Sequence, residues 1–119
     1  MKILEILTKK RSLGNRGESE ACRYLKKHGY KILKTNYRTP FGEADIIAED
    51  GDEIVFVEVK TRTSDRYGTP AESVVKKKRE TYRKIAKCYW LQDGEEPNAR
   101  FDVAEVYADG RIDYLKYAF

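Results

Sequence analysis

The chain has 119 residues, 40% of them apolar and 37% charged, with a net charge of +4. That length and balance suit a single domain with one compact core, and they exclude a disordered polar chain. No apolar run approaches the roughly 18 residues of a membrane helix, and the first residues do not form a secretory signal. Two cysteines, Cys22 and Cys88, are too few for a disulfide framework or a four-cysteine zinc site. Reduced thiols in a cytoplasmic protein are therefore expected.

Residues 1–12 form a basic lead, amphipathic or frayed. A helix is predicted from Asn15 to His28, with Glu18 and Glu20 in a first turn whose dipole favours carboxylates, and Gly29 as the residue that ends it. Tyr30 to Arg38 is a strand, closed by the turn Thr39-Pro40-Phe41-Gly42. Glu43 to Glu49 and Glu53 to Arg62 are two more, joined by a tight hairpin at Asp50-Gly51. After a loop over Thr63 to Thr69, Glu72 to about Leu91 is the longest helix. Val75, Tyr82, Ile85, Ala86 and Tyr89 form its inward stripe, and Lys76, Lys77, Lys78, Arg79, Arg83, Lys84 and Lys87 crowd the rest. Asp93 to Asn98 is a polar turn. Arg100 to Tyr107 and Arg111 to Tyr117 are final strands about the turn Asp109-Gly110. The order α-β-β-β-α-β-β predicts an α/β domain spanning 1–119.

Charge is unevenly spread. Residues 1–40 carry +8, residues 41–75 carry −6, and residues 76–100 carry +4. An acidic middle between basic flanks suits a cation site beside surfaces that attract a polyanion, although solvated helix faces produce similar patterns.

The hairpin decides which acids meet. A two-residue loop at Asp50-Gly51 pairs Glu49 with Asp52 and sets Asp45 opposite Phe56. Asp45 then shares a face with Phe56, Glu58 and Lys60, diagonal to Glu58; an odd-length loop would reverse this. Grouped carboxylates at the end of a buried strand repel unless a proton, a lysine or a metal lies between them. Mg²⁺ or Mn²⁺ takes such oxygen ligands together with phosphate and water, while surface ion pairs would be the plainer alternative. Removing Glu58 is expected to relieve repulsion with Asp45. Glu18 faces the same way as Ala21, Cys22 and Leu25, so it either supports such a site or caps its own helix. Asp102 is a weaker case, since alternation in Phe101-Asp102-Val103 can turn it to solvent. The lone His28 excludes a histidine-rich centre, and Gly14 and Gly17 make no phosphate-loop fingerprint.

Gly14-Asn-Arg-Gly-Glu18-x-x-Ala21, Gly42-Glu43-Ala44-Asp45-Ile46-Ile47, Val55-Phe56-Val57-Glu58-Val59-Lys60 and Arg100-Phe101-Asp102-Val103 together resemble the YraN-like family of small predicted endonucleases. That family is similar in pattern to archaeal Holliday-junction resolvases and to PD-(D/E)xK nucleases. The resemblance implies a restriction-endonuclease-like fold with Asp45 and Glu58 as ligands of Mg²⁺ or Mn²⁺. It also implies that Lys60 orients the attacking water and that Glu18 is the helix-borne acid. Ala44 stands where the nuclease motif has proline, which is not a ligand.

The function expected is a metal-dependent endonuclease acting on branched or structured DNA. The alternative is a non-catalytic nucleic-acid-binding accessory protein of the same fold. Phosphate contacts are expected from Arg16, Arg62, Lys76, Lys77, Arg79 and Arg83. DNA is the expected partner and a membrane is not; a homodimer is compatible with the chain.

Overall fold

A computed structural model describes residues 16–62, 72–93 and 98–119. Helix α1, residues 16–27, stops where Gly29 takes a φ of 88°, which only glycine adopts without strain. Gly29 N–H then donates to Lys26 O at 3.1 Å and Tyr30 N–H to Leu25 O at 2.9 Å, the Schellman closure. Five strands follow: β1 (Lys31–Thr39), β2 (Gly42–Asp50), β3 (Glu53–Arg62), β4 (Asn98–Tyr107) and β5 (Ile112–Leu115). Helix α2, Glu72–Asp93, joins β3 to β4.

The sheet order is β1-β2-β3-β4-β5, with β3 and β4 parallel and the other pairs antiparallel. A parallel pair needs a crossover, and α2 supplies it. Ala21 and Leu25 of α1 pack with Ile46, Ala48, Val55 and Val57 on one face. Tyr82, Ile85, Ala86 and Tyr89 of α2 pack with Ile47, Ile54, Phe56 and Phe101 on the other. Strand alternation thus divides β2 and β3 between two cores. The order α-β-β-β-α-β-β and the mixed sheet between helices are those expected of the restriction-endonuclease-like class.

Two details differ from expectation. The hairpin loop is Gly51-Asp52, not Asp50-Gly51, because Asp50 pairs with Glu53. Gly51, at φ 62°, takes the first central position of the turn, where a II′ hairpin requires glycine. The register moves by two residues, so every side chain keeps its face. The final strand ends at Leu115 because Tyr117, at φ 54°, turns the chain back, and Ala118 N–H donates to Phe101 O at 2.8 Å. The basic lead 1–12 and the loop Thr63 to Thr69 lie outside the described residues. Cys22 and Cys88 are free thiols. Among the described residues no helix is long and apolar enough to cross a membrane.

Candidate active site

Strand β3 buries Val55, Phe56 and Val57 and then emerges, half-buried, at Glu58 and Lys60. Both follow Phe56 at the strand's period of two and so lie on the α2 face. The β2–β3 register, whose last pair is Ile46 with Val57, sets Asp45 across from Glu58 rather than diagonal to it. Beyond that pair the Asp45 side chain takes over, accepting the Val59 N–H through Oδ2 at 2.8 Å. Burial pushes the Asp45 carboxyl up to about 6; the Val59 hydrogen bond opposes this, and the charges of Glu18, Glu43 and Glu58 add to it.

Glu58 has a partner that the sequence did not single out. Lys78 Nζ donates to Glu58 Oε1 at 2.9 Å and Oε2 at 3.1 Å. Burial lowers the pKa of Lys60, and hydrogen bonding with Lys78 lowers it further, against the pull of Glu58. Burial also lowers Lys78, but its bonds to Lys60 and Glu58 outweigh that and leave it raised. A detectable signal existed: Lys78 lies four residues before Tyr82 and seven before Ile85, on the buried stripe of α2.

Asp45, Glu58, Lys78 and Tyr82 line a cleft of about 550 Å³ together with Glu43, Lys77 and Thr81. Burial, and then the three carboxylates, raise the pKa of the Tyr82 hydroxyl far above its ordinary range. Glu18 belongs to α1 and accepts Asn36 Nδ2–H at 3.0 Å through Oε2. Its charge still acts on Asp45. Of the expected phosphate contacts, Arg16, Lys76, Lys77, Arg79 and Arg83 are exposed. Arg62 is largely covered and pairs with Glu105 at 3.6 Å.

Asp102 is not turned to solvent. It is fully buried on the α1 face, where Arg100 Nε donates to both its oxygens at 3.1 Å. Tyr114 OH donates to Asp102 Oδ2 at 2.6 Å, and the Tyr117 N–H to Oδ1 at 3.0 Å. Arg100 also reaches Asp50, Glu53 and the Tyr30 hydroxyl. Residues 100 and 102 share a strand face, which is the signal that could have linked them.

Residues 17–106 match the model of the uncharacterised protein family UPF0102. The chain belongs to this family, the YraN-like one. A UPF0102 protein of Caldicellulosiruptor saccharolyticus is 45% identical over 117 residues, covering 92% of this chain and 98% of that protein. One from Alkaliphilus oremlandii is 52% identical over 115 residues, with the same coverage of 92% and 98%. One from Syntrophus aciditrophicus is 48% identical over 118 residues, covering 95% and 92%. The crystal structure of SSO0001 aligns with 98% of this chain and 55% of that chain, at 18% identity and a TM-score of 0.44.

The UPF0102 match takes in Glu18, Asp45, Glu58, Lys60 and Lys78, and stops before β5. Among the described residues no group of three or more His, Cys, Asp and Glu side chains is set to hold a metal. The facing pair Asp45 and Glu58 nevertheless fits a hard divalent ion, which commonly takes one or two carboxylates and completes its shell with water and phosphate. The chemistry agrees: the two carboxylates line one cleft, and a cationic nitrogen lies on one of them.

Proposed function

We propose that this UPF0102 protein is a metal-dependent endonuclease acting on DNA phosphodiesters, with branched or structured DNA preferred. The observation that carries this reading is Asp45 facing Glu58 across β2 and β3, in a cleft that also receives Lys77 and Lys78. Grouped acids are costly to hold and contribute nothing to a polyanion-binding surface unless a cation bridges them to phosphate.

Asp45 and Glu58 would hold Mg²⁺ or Mn²⁺. When bound, that ion supplies Lewis acidity at a phosphate oxygen and an acidified water. The Val59 N–H fixes one Asp45 oxygen and leaves the other for the cleft. Lys60, on the strand beside Glu58, would orient the attacking water and stabilise the charge that develops on the phosphate. Glu18, tied to Asn36, adds negative charge that favours the cation. Lys76, Lys77, Arg79 and Arg83 offer phosphate contacts without base readout, so discrimination would come from DNA shape.

One observation favours the alternative, a non-catalytic nucleic-acid-binding protein: Lys78 engages both oxygens of Glu58, so the chain's own ammonium can neutralise that carboxylate. The two readings separate in a cleavage assay on linear, flapped and four-way DNA with Mn²⁺, run beside Asp45→Asn. Mn²⁺-dependent cleavage lost in the variant supports the nuclease. DNA binding that ignores Mn²⁺, with no cleavage of any substrate, replaces it with the binding protein.

A further inference from the structure

Lys78 stands apart from the other cations of α2. Lys76, Lys77 and Arg79 are exposed, whereas the Lys78 side chain is only 31% exposed and continues the stripe of Tyr82, Ile85 and Tyr89. A lysine so placed needs an anion. Its single ammonium spans both oxygens of Glu58, at 2.9 and 3.1 Å, much as a bidentate cation would. Glu43 and Asp45 line the same cleft. Lys60 stands on the strand beside Glu58, so the cluster is neutralised in part before any divalent ion arrives.

Resting on the metal-site reading of Asp45 and Glu58, we infer that Lys78 is a resident counter-cation that holds Glu58 for a divalent ion, competes with it, and yields the carboxylate when it binds. Lys78 is thus a positioning residue acting through Glu58. Two like charges cannot share one carboxylate without cost, so the ammonium swings off as the ion takes its place. It remains in the cleft beside Lys77, where the anion within reach is a substrate phosphate. The arrangement gives metal binding a built-in cost, which bound phosphate removes by supplying Lys78 with a new partner.

The test is calorimetric titration of the full chain with Mn²⁺, without DNA, for the parent, Lys78→Gln and Lys78→Arg. Gln keeps a hydrogen-bond donor and loses the charge, so Mn²⁺ should bind about tenfold more tightly, the scale of a modest charge effect. Lys78→Arg keeps the competing charge and should bind like the parent. Lys78→Met, which retains the packed stem, repeats the test if Lys78→Gln does not fold. Equal or weaker Mn²⁺ binding by the neutral variants, with a parent that binds, overturns the inference and makes Lys78 a plain structural bridge. Binding by neither parent nor variant overturns the metal-site reading itself, and the inference with it.

Discussion

Asp45 accepts the Val59 N–H at 2.8 Å where the β2–β3 ladder ends, so a side chain completes what the backbone leaves unmade. The same contact fixes the carboxylate in a half-buried, acidic place. Its carboxyl is raised from 3.8 to about 6, chiefly by burial.

Between about pH 4 and 6 the folded chain therefore keeps a proton on Asp45 that the unfolded chain has released. Stability from this residue is present below that window and is lost as pH rises through it. Asp45→Asn removes the dependence while keeping an oxygen for Val59. In urea unfolding with chelator, the variant should gain on the parent from pH 4 to 7. Adding Mn²⁺ at pH 7 should narrow the difference by stabilising the parent alone. A constant difference across the range would show that Asp45 titrates normally.

Asp102 belongs to the scaffold, and its removal should register as lost stability. Asp102→Ala leaves Arg100, only 3% exposed, without its buried partner and strands the Tyr114 hydroxyl and Tyr117 N–H. The expected loss is about 3–5 kcal/mol, the usual result of breaking a buried pair. Tyr114→Phe removes one bond to a charged acceptor and should lose about 1.5–3 kcal/mol. Both variants should keep the parent's Mn²⁺ affinity where they fold, since the network lies across the sheet from Glu58. Chemical unfolding and calorimetry check the two halves separately.

These residues show what a sequence discloses. The shared face of Asp45, Glu58 and Lys60 was legible because a hairpin loop of even length preserves side-chain parity. The register was not, because it depended on which turn position Gly51 occupied. Lys78 was hidden among basic neighbours, although it lies one helical turn before Tyr82 on the inward stripe of α2. Beyond the Arg100–Asp102 pair, the Asp102 network was out of reach for another reason. It joins Tyr30, Asp50, Glu53, Arg100 and Tyr114 through strand pairings far apart along the chain. Local pattern reports faces and periods; it does not report which distant partners a buried charge will meet.

Gly17 offers a packing test. A Cβ there would lie 2.7 Å from Thr61 Cγ2, where α1 crosses the end of β3. Gly17→Ala gains up to about 1 kcal/mol in helix propensity. Forcing a methyl group into a packed contact typically costs about 1–3 kcal/mol. The net expectation is a lowered melting temperature, restored when Thr61→Ser removes the opposing methyl. If Gly17→Ala melts like the parent, α1 has room to shift.

The phosphate contacts proposed for α2 predict a salt response. Lys76 and Arg83 are exposed. Replacing both with Ala should weaken DNA binding equally for all sequences and flatten the slope of log affinity against log salt by about two. An unchanged slope in a fluorescence titration would make this helix face an ordinary solvated one.

Glu58→Gln reverses a sign that the sequence suggests. With only Asp45 in view, neutralising Glu58 relieves repulsion and stabilises the metal-free chain. With Lys78 in view, it also removes a charged bond at 2.9 Å between side chains 31% and 21% exposed. The pair is partly open to solvent, so its loss should amount to about 1 kcal/mol. Lys60 and Lys78 are then left facing one another without their common anion, which adds to the loss. At pH 7 Glu58→Gln should therefore be less stable than the parent. Asp45 meanwhile loses one of the charges that raise its pKa, so its pH-dependent fall in stability should move to lower pH. Urea unfolding from pH 4 to 7 reads both effects in one series. A variant more stable than the parent at pH 7 would mean that repulsion between the two acids outweighs the Lys78 bond.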